Sequence, residues 1–468
     1  MRGEMSRTKW NCDRTKTNRH LLFHLVFLIP KGEHKMTRFT KITAVAAPAI
    51  MALAVASPSE AKILLMGNDG WEVSFDGLVN GFYSYTSKDE LDANEVATNA
   101  THTGADGDGE DTSRITVGLL PAVWGMNIKA PTTNGLDMSA RIGLYPNISV
   151  NRAKNNFANH SGARVDLREI FMAVDGSFGQ VLVGRTLSIY QGKNILTDMT
   201  LFGVGAGSGA AKGGGTTLGR IGWGYIYPNF NGGIRYTTPD LNGVKVTAAI
   251  YDPSTIGGGG GVTETSLPRF EAELSYAGDF GGASVSAWAS GLYQTAQRSL
   301  AEIQASCALA VNGGGNPGRA CTVSSSVDVG GGAFGLQVGM GGLTLTGSGY
   351  IGRGLGTTLM LDTDALDAAG DKRTHSGYVA QGTYAFGQGT SIGASYGESG
   401  ADETNTDFLQ RAGTTVGIDT QSLLDFMIWH DINANLRIVG EYGLQETEWH
   451  DGADQEANII SGGAFFFW

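Results

Sequence analysis

The feature that most limits how this chain can fold is a rhythm in its connections. Stretches of alternating apolar and polar residues are joined in turn by tight, glycine-rich turns and by long polar segments. The turns fall at 132–135, 175–179, 239–243, 278–282, 339–342, 387–389 and 430–433. The long connections fall at about 87–112, 146–163, 186–229, 252–266, 295–326, 353–373, 399–413 and 447–454. Seven short and eight long connections join sixteen strands. An even strand number, with short turns on one side and long loops on the other, predicts an all-β protein: a transmembrane antiparallel β-barrel of sixteen strands. Eighteen strands would need one more hairpin hidden in a loop.

The strands themselves suit a bilayer. In the first, Trp71, Val73, Phe75, Gly77, Val79, Gly81 and Tyr83 share one face, and Glu72, Ser74, Asp76, Leu78, Asn80 and Phe82 the other. A tilted strand needs about 9–11 residues to cross a membrane. Similar alternation marks 136–144, 244–250, 343–351 and 436–445. No run of 18 apolar residues occurs outside the N-terminal signal, which argues against helical spans. The 71 glycines among 468 residues fit a curved, closely packed wall. One strand is irregular: Pro121 interrupts 113–130, and a proline lacking its N–H implies a bulge or an edge there.

Targeting and charge narrow the setting. Arg38 and Lys41, the apolar run 42–55 and the small-residue pattern Ser59-Glu60-Ala61 make 36–61 an export signal. Residues 1–35 are basic and unlike the rest, so translation is expected to start at Met36. Removing 1–61 leaves 23 basic and 41 acidic side chains, net −18, in the barrel chain 62–468. That balance excludes a nucleic-acid binder, which needs a basic face, and favours cations in a lumen. Cys307 and Cys321 share one glycine-rich loop, and an oxidising compartment favours a disulfide between them. Closing such a loop contributes about 3 kcal/mol in the chain-entropy picture. No nearby His completes a metal site with them.

Four stretches resemble the Gram-negative general diffusion porins: VSFDGLVNGFYSY, SRITVGL, REIFMAVDGSFGQVLVGR and NGGIRYTTPDLNGVKVTAAIYDP. The aromatic end Phe465-Phe466-Phe467-Trp468 is similar to that family's assembly signal, although the family usually ends on Phe. The resemblance implies an outer-membrane homotrimer of sixteen-stranded barrels, inserted by the barrel assembly machinery among lipid and lipopolysaccharide. Each barrel would hold a water-filled channel narrowed by an inward-folded third external loop, here within 186–229. Basic wall residues would face an acid on that loop. Arg114 and Arg168 match family positions, while Arg141 and Arg235 join them by strand register. Asp198 is the one carboxylate between Arg185 and Gly219 and becomes the constriction acid. The bland alternatives are structural ion pairs for the arginines and an ordinary surface carboxylate for Asp198.

The remaining signals point to no chemistry. Loop 87–112 carries eight acidic residues, yet Asp111 stands where an EF-hand requires glycine and no Glu closes the loop, so it reads as solvated. Lys212 is followed by Gly rather than Ser or Thr, so no phosphate loop exists there. No cofactor, metal or catalytic residue is expected, and ions and small hydrophilic solutes are the expected passengers. Rival readings are a substrate-specific channel of the same architecture, a barrel enzyme such as a phospholipase, and an adhesin.

Overall fold

Period-two alternation commits each strand to one apolar and one polar face, and closure of the sheet turns these faces into an outside and an inside. The computed structural model describes residues 63–91, 101–104, 109, 111–148, 165–206, 215–257, 262, 265–300, 302–304, 324–410 and 415–468. The N-terminal extension and export signal, Cys307, Cys321 and Asp106, Asp108 and Glu110 of the acidic loop lie outside the described residues.

Sixteen strands form the wall. They are β1 (Trp71–Lys88), β2 (in two pieces, Thr112–Thr116 and Val123–Lys129), β3 (Asp137–Pro146), β4 (Val165–Gly176), β5 (Gly179–Leu187) and β6 (Phe230–Thr237). Next come β7 (Val244–Tyr251), β8 (Arg269–Phe280), β9 (Ala283–Gln297), β10 (Ser326–Met340) and β11 (Leu343–Arg353). The last are β12 (Thr374–Gly387), β13 (Thr390–Ala401), β14 (Ile418–Asn433), β15 (Leu436–Trp449) and β16 (Asp454–Phe467). Each pairs antiparallel with its neighbours, and β16 returns to β1 from Leu78↔Phe467 to Lys88↔Ala457, closing the barrel. A short lead-in strand, Ile63–Asn68, continues the β1 edge beyond the point where β16 ends.

The outer face is apolar: Val79, Tyr83, Ile170, Met172, Leu345, Ile428, Ile438 and Phe466 are all exposed. The buried inner face carries Asn80, Arg141, Glu169, Glu271, Gln421, Asp425 and Glu441. Such an inversion of the soluble-protein rule is what a hydrocarbon surround requires. Among the described residues no helix is long and apolar enough to cross a membrane.

The seven short turns fall where the connection rhythm puts them, with one shift. The β14 strand runs through Asn433 with a register shift near Asp431, so the last turn sits two residues later than expected. The irregular second strand also resolves. Residues 117–122 leave the ladder between the two pieces of β2, and Leu119 and Leu120 donate their N–H groups to the carbonyls of Gly203 and Leu201 (2.9 and 3.3 Å). Pro121 therefore sits where no ladder bond is needed from it.

Candidate functional site: the loop inside the barrel

The described parts of the connection after β5, 188–206 and 215–229, lie against the inner face of the barrel. Its path begins with Gln191 in a left-handed conformation (φ 65°), which turns the chain into the short helix Gly192–Leu196. Asp198 then caps the 3-10 turn Met199–Phe202 by accepting the Thr200 N–H at 2.9 Å. At the far end Gly205 (φ 58°) meets Gly219, whose backbone would lie 2.4 Å from any Cβ placed on Gly205. Only glycine fits both the dihedral and the approach.

Two carboxylates on well-separated strands hold this loop. Glu271 of β8 accepts the N–H groups of Ile189 and Tyr190, both at 2.9 Å. Glu441 of β15 accepts those of Val204 and Gly205, both at 2.6 Å. Between them Gln381 of β12 accepts from Met199 N–H and donates to the Thr197 carbonyl, and Trp288 of β9 donates to Asn194. On the return limb, Arg220 donates to Ser395 and to the Leu423 carbonyl, and Gly224 N–H donates to Ser399. Apolar side chains fill in around these bonds: Leu201, Phe202, Val204 and Tyr225 pack with Phe82, Met427, Phe465 and Phe467. Each large side chain buried this way contributes about 1.5–3 kcal/mol. The loop is a seated element rather than a loose flap.

The residues singled out from sequence each have their own surroundings. Asp198 is only 5% exposed. Its carboxylate accepts from Thr200 N–H, the Thr200 hydroxyl (2.6 Å) and the Tyr225 hydroxyl (2.6 Å), so it closes a turn inside the loop. Arg220, on the return limb, is a cation that interacts with Asp198. The hydrogen bonds of the Asp198 carboxylate are thus made within its own loop, to Thr200 and Tyr225.

Arg141 is a wall ion pair: it lies between Asp76 (2.8 Å) and Glu169 (2.7 Å), with Asn127 accepting a further bond. Arg168 owes its position to a bulge. Gly143 pairs with Glu169 and Leu144 with Leu167, which leaves Arg168 as the extra residue. Strict alternation would have placed it with the outward Met172. Instead its guanidinium lies over the rings of Tyr145 (5.1 Å) and Phe230 (5.6 Å), bonds the Tyr227 hydroxyl and pairs with Asp166. Arg114, half-buried, stands opposite Ser84, and Arg235, half-buried, opposite Ala249 and Leu182.

Sequence reasoning missed Glu271, Gln381, Asp425, Arg220 and the anchoring role of Glu441. Glu441 was already on the polar face of its strand, but a carboxylate at an inward position does not reveal which backbone amides it will meet. Among the described residues, no group of three or more His, Cys, Asp or Glu is arranged to hold a metal ion.

A family model described as Gram-negative porin matches residues 43–448. No curated protein matches the chain. Among solved structures, the outer membrane channel DcaP of Acinetobacter baumannii is similar over 87% of this chain and 100% of its own, at 14% identity and TM-score 0.60. The anion-selective porin from Comamonas acidovorans is similar over 85% of this chain and 100% of its own, at 14% identity and TM-score 0.53. At these identities the likeness to solved structures concerns the fold.

Proposed function

This chain belongs to the Gram-negative porins and is an outer-membrane β-barrel channel; from that premise we propose passive diffusion of ions and small hydrophilic solutes, with a weak preference for cations and no catalysis. The observation that carries the proposal is the loop seated inside the lumen between Glu271 and Glu441, which narrows a closed barrel. The cation preference is supported by how the basic side chains are spent. Arg141 meets two carboxylates, Arg168 meets Asp166, Arg269 meets Glu271 and Arg437 meets Asp431. Arg220 likewise lies in the field of the Asp198 carboxylate. Purified protein in planar bilayers should give stepwise ion conductance, and an inserted barrel that passes no current would overturn the reading.

A solute-selective channel is the second reading, favoured by the apolar crowding of the loop against Phe82, Phe465 and Phe467. We further propose a homotrimer, on the family resemblance, and a Cys307–Cys321 disulfide. The first is checked by native mass spectrometry, the second by a non-reduced chain lighter by one pair of hydrogens.

A further inference from the structure

The connection 354–373, between β11 and β12, also enters the barrel, and its partners come from several directions. Leu355 is fully buried against Tyr190 and Ile226 of the inward loop and against the inner-face residues Ala333 and Tyr350. Leu361 packs with Ile256 from the connection after β7 and with Val327 and Val329 of β10, and its carbonyl accepts the Gly257 N–H at 2.9 Å. At its tip, the Thr358 carbonyl accepts the Tyr227 N–H at 3.0 Å, and Leu359 bridges Tyr227. Tyr227 belongs to the return limb of the inward loop, and its hydroxyl meets Arg168 of β4. The tip therefore reaches toward a wall several strands away from the one that carries its base. Leu359 itself is 44% exposed.

One side chain fixes the shape of this connection. Arg373 grips the Asp407 carboxylate with Nε and Nη2 (2.8 and 2.7 Å), while its Nη1 donates to the carbonyls of Asp364 and Leu366 (3.0 and 2.7 Å). A two-pronged guanidinium–carboxylate pair sets direction as well as distance. Two further ties support it: the Thr404 hydroxyl donates to Asp367 at 2.6 Å, and Arg298 donates to the Gly370 carbonyl. The 364–373 limb of the dipping segment is thus held to neighbouring external connections.

We propose that 354–373 is an outer filter, in series with the inward loop 188–229, and that Arg373 is the positioning residue that sets its aperture through Asp407. The inference rests on the channel reading above. Solutes arriving from the long-loop side meet the Thr358–Leu359 tip before they meet the inward loop. Solutes arriving from the short-turn side meet the inward loop first.

That asymmetry gives the test. Neutral polyethylene glycols of graded size are added to one side of a bilayer holding the purified full-length channel, and the largest polymer that lowers conductance is recorded for each side. Arg373→Gln is expected to shift the limit on the long-loop side to larger polymers and leave the short-turn side unchanged. The double reversal Arg373→Asp with Asp407→Arg should restore the original limit, which a general loosening of the barrel would not do. Leu359→Trp, at an exposed tip that makes none of the anchoring side-chain bonds, should shift the long-loop limit to smaller polymers, and it keeps the test intact if Arg373→Gln fails to assemble. Unchanged limits in both variants, or equal shifts on both sides, overturn the outer filter while leaving the channel in place. An assembled wild-type barrel without conductance overturns the channel reading instead.

Discussion

At the scale of single residues, the barrel works by spending inward carboxylates on backbone amides. A buried N–H left without a partner costs about 1–3 kcal/mol, so Glu271 and Glu441 each relieve two such penalties at opposite ends of one loop segment. Glu441→Ala should therefore expose the Val204 and Gly205 amides to rapid hydrogen exchange while Ile189 and Tyr190 stay protected. Glu271→Ala should do the reverse. If both variants exchange everywhere alike, the two anchors are not independent. Asp198 has a local role as well, and losing a cap of this kind costs about 0.5–2 kcal/mol. Asp198→Ala should loosen 198–202 in hydrogen exchange and move the reversal potential little, because the carboxylate is engaged within its own loop.

At the scale of elements, the break in β2 and the inward loop form one unit, since 117–122 leaves the wall to pair with 201–203. Gly118 lies so close that a Cβ there would stand 2.4 Å from the Gly203 carbonyl oxygen. Gly118→Val should push the loop off this wall and raise single-channel conductance while the ladder bonds on either side still form. An assembled Gly118→Val channel of unchanged conductance would show that the contact does not set the bore. Outside the membrane, the Arg373–Asp407 pair makes the external connections sensitive to acid. Burial works against the Asp407 carboxylate, but the Arg373 bonds and charge outweigh it and hold it below the usual carboxylate range. A depressed folded value means that the stabilisation is complete above the ordinary Asp pKa of about 3.9 and is lost as pH falls through the lower folded value. Protease nicking near 402–410 should thus rise only in strong acid, and Asp407→Asn should show the raised rate already at neutral pH. Why some of this was legible in sequence and some not follows from where each signal lives. Strand faces and turns are local, repeating every two residues, so β1, β3 and β15 sort correctly from their own residues. Arg168 was read as a wall residue from its match to a family position; alternation alone would set it beside Met172, because a one-residue bulge is set by the partner strand, where Gly143 and Leu144 shift register. The pairing of Glu441 with Val204 joins residues more than 200 positions apart, and no local pattern encodes it.

At the scale of the whole molecule, selectivity is decided by the sum of charges that a passing ion feels rather than by any one side chain. Residues 62–468 carry net −18, and the inner wall does not offset this with free cations where pairs can be traced. Arg141, Arg269 and Arg437 each stand against a carboxylate, so each pair looks nearly neutral from a distance. A narrow channel with low-dielectric walls then focuses the residual negative field on the lumen. Screening limits how far that field reaches: the Debye length is about 30 Å at 0.01 M salt and about 3 Å at 1 M. A potassium chloride gradient at low salt should therefore give a reversal potential of the cation-preferring sign, and the same ratio at molar salt should bring it close to the value for free ions. Neutralising one partner of a traced pair sharpens the argument. Asp76→Asn leaves Arg141 facing Glu169 alone and should weaken the cation preference, whereas Asp198→Asn, whose carboxylate is enclosed by Thr200 and Tyr225, should weaken it less. A strong anion preference at low salt, or a larger effect from Asp198→Asn than from Asp76→Asn, would mean that the enclosed cluster around Arg220 rather than the paired wall governs the field in the passage.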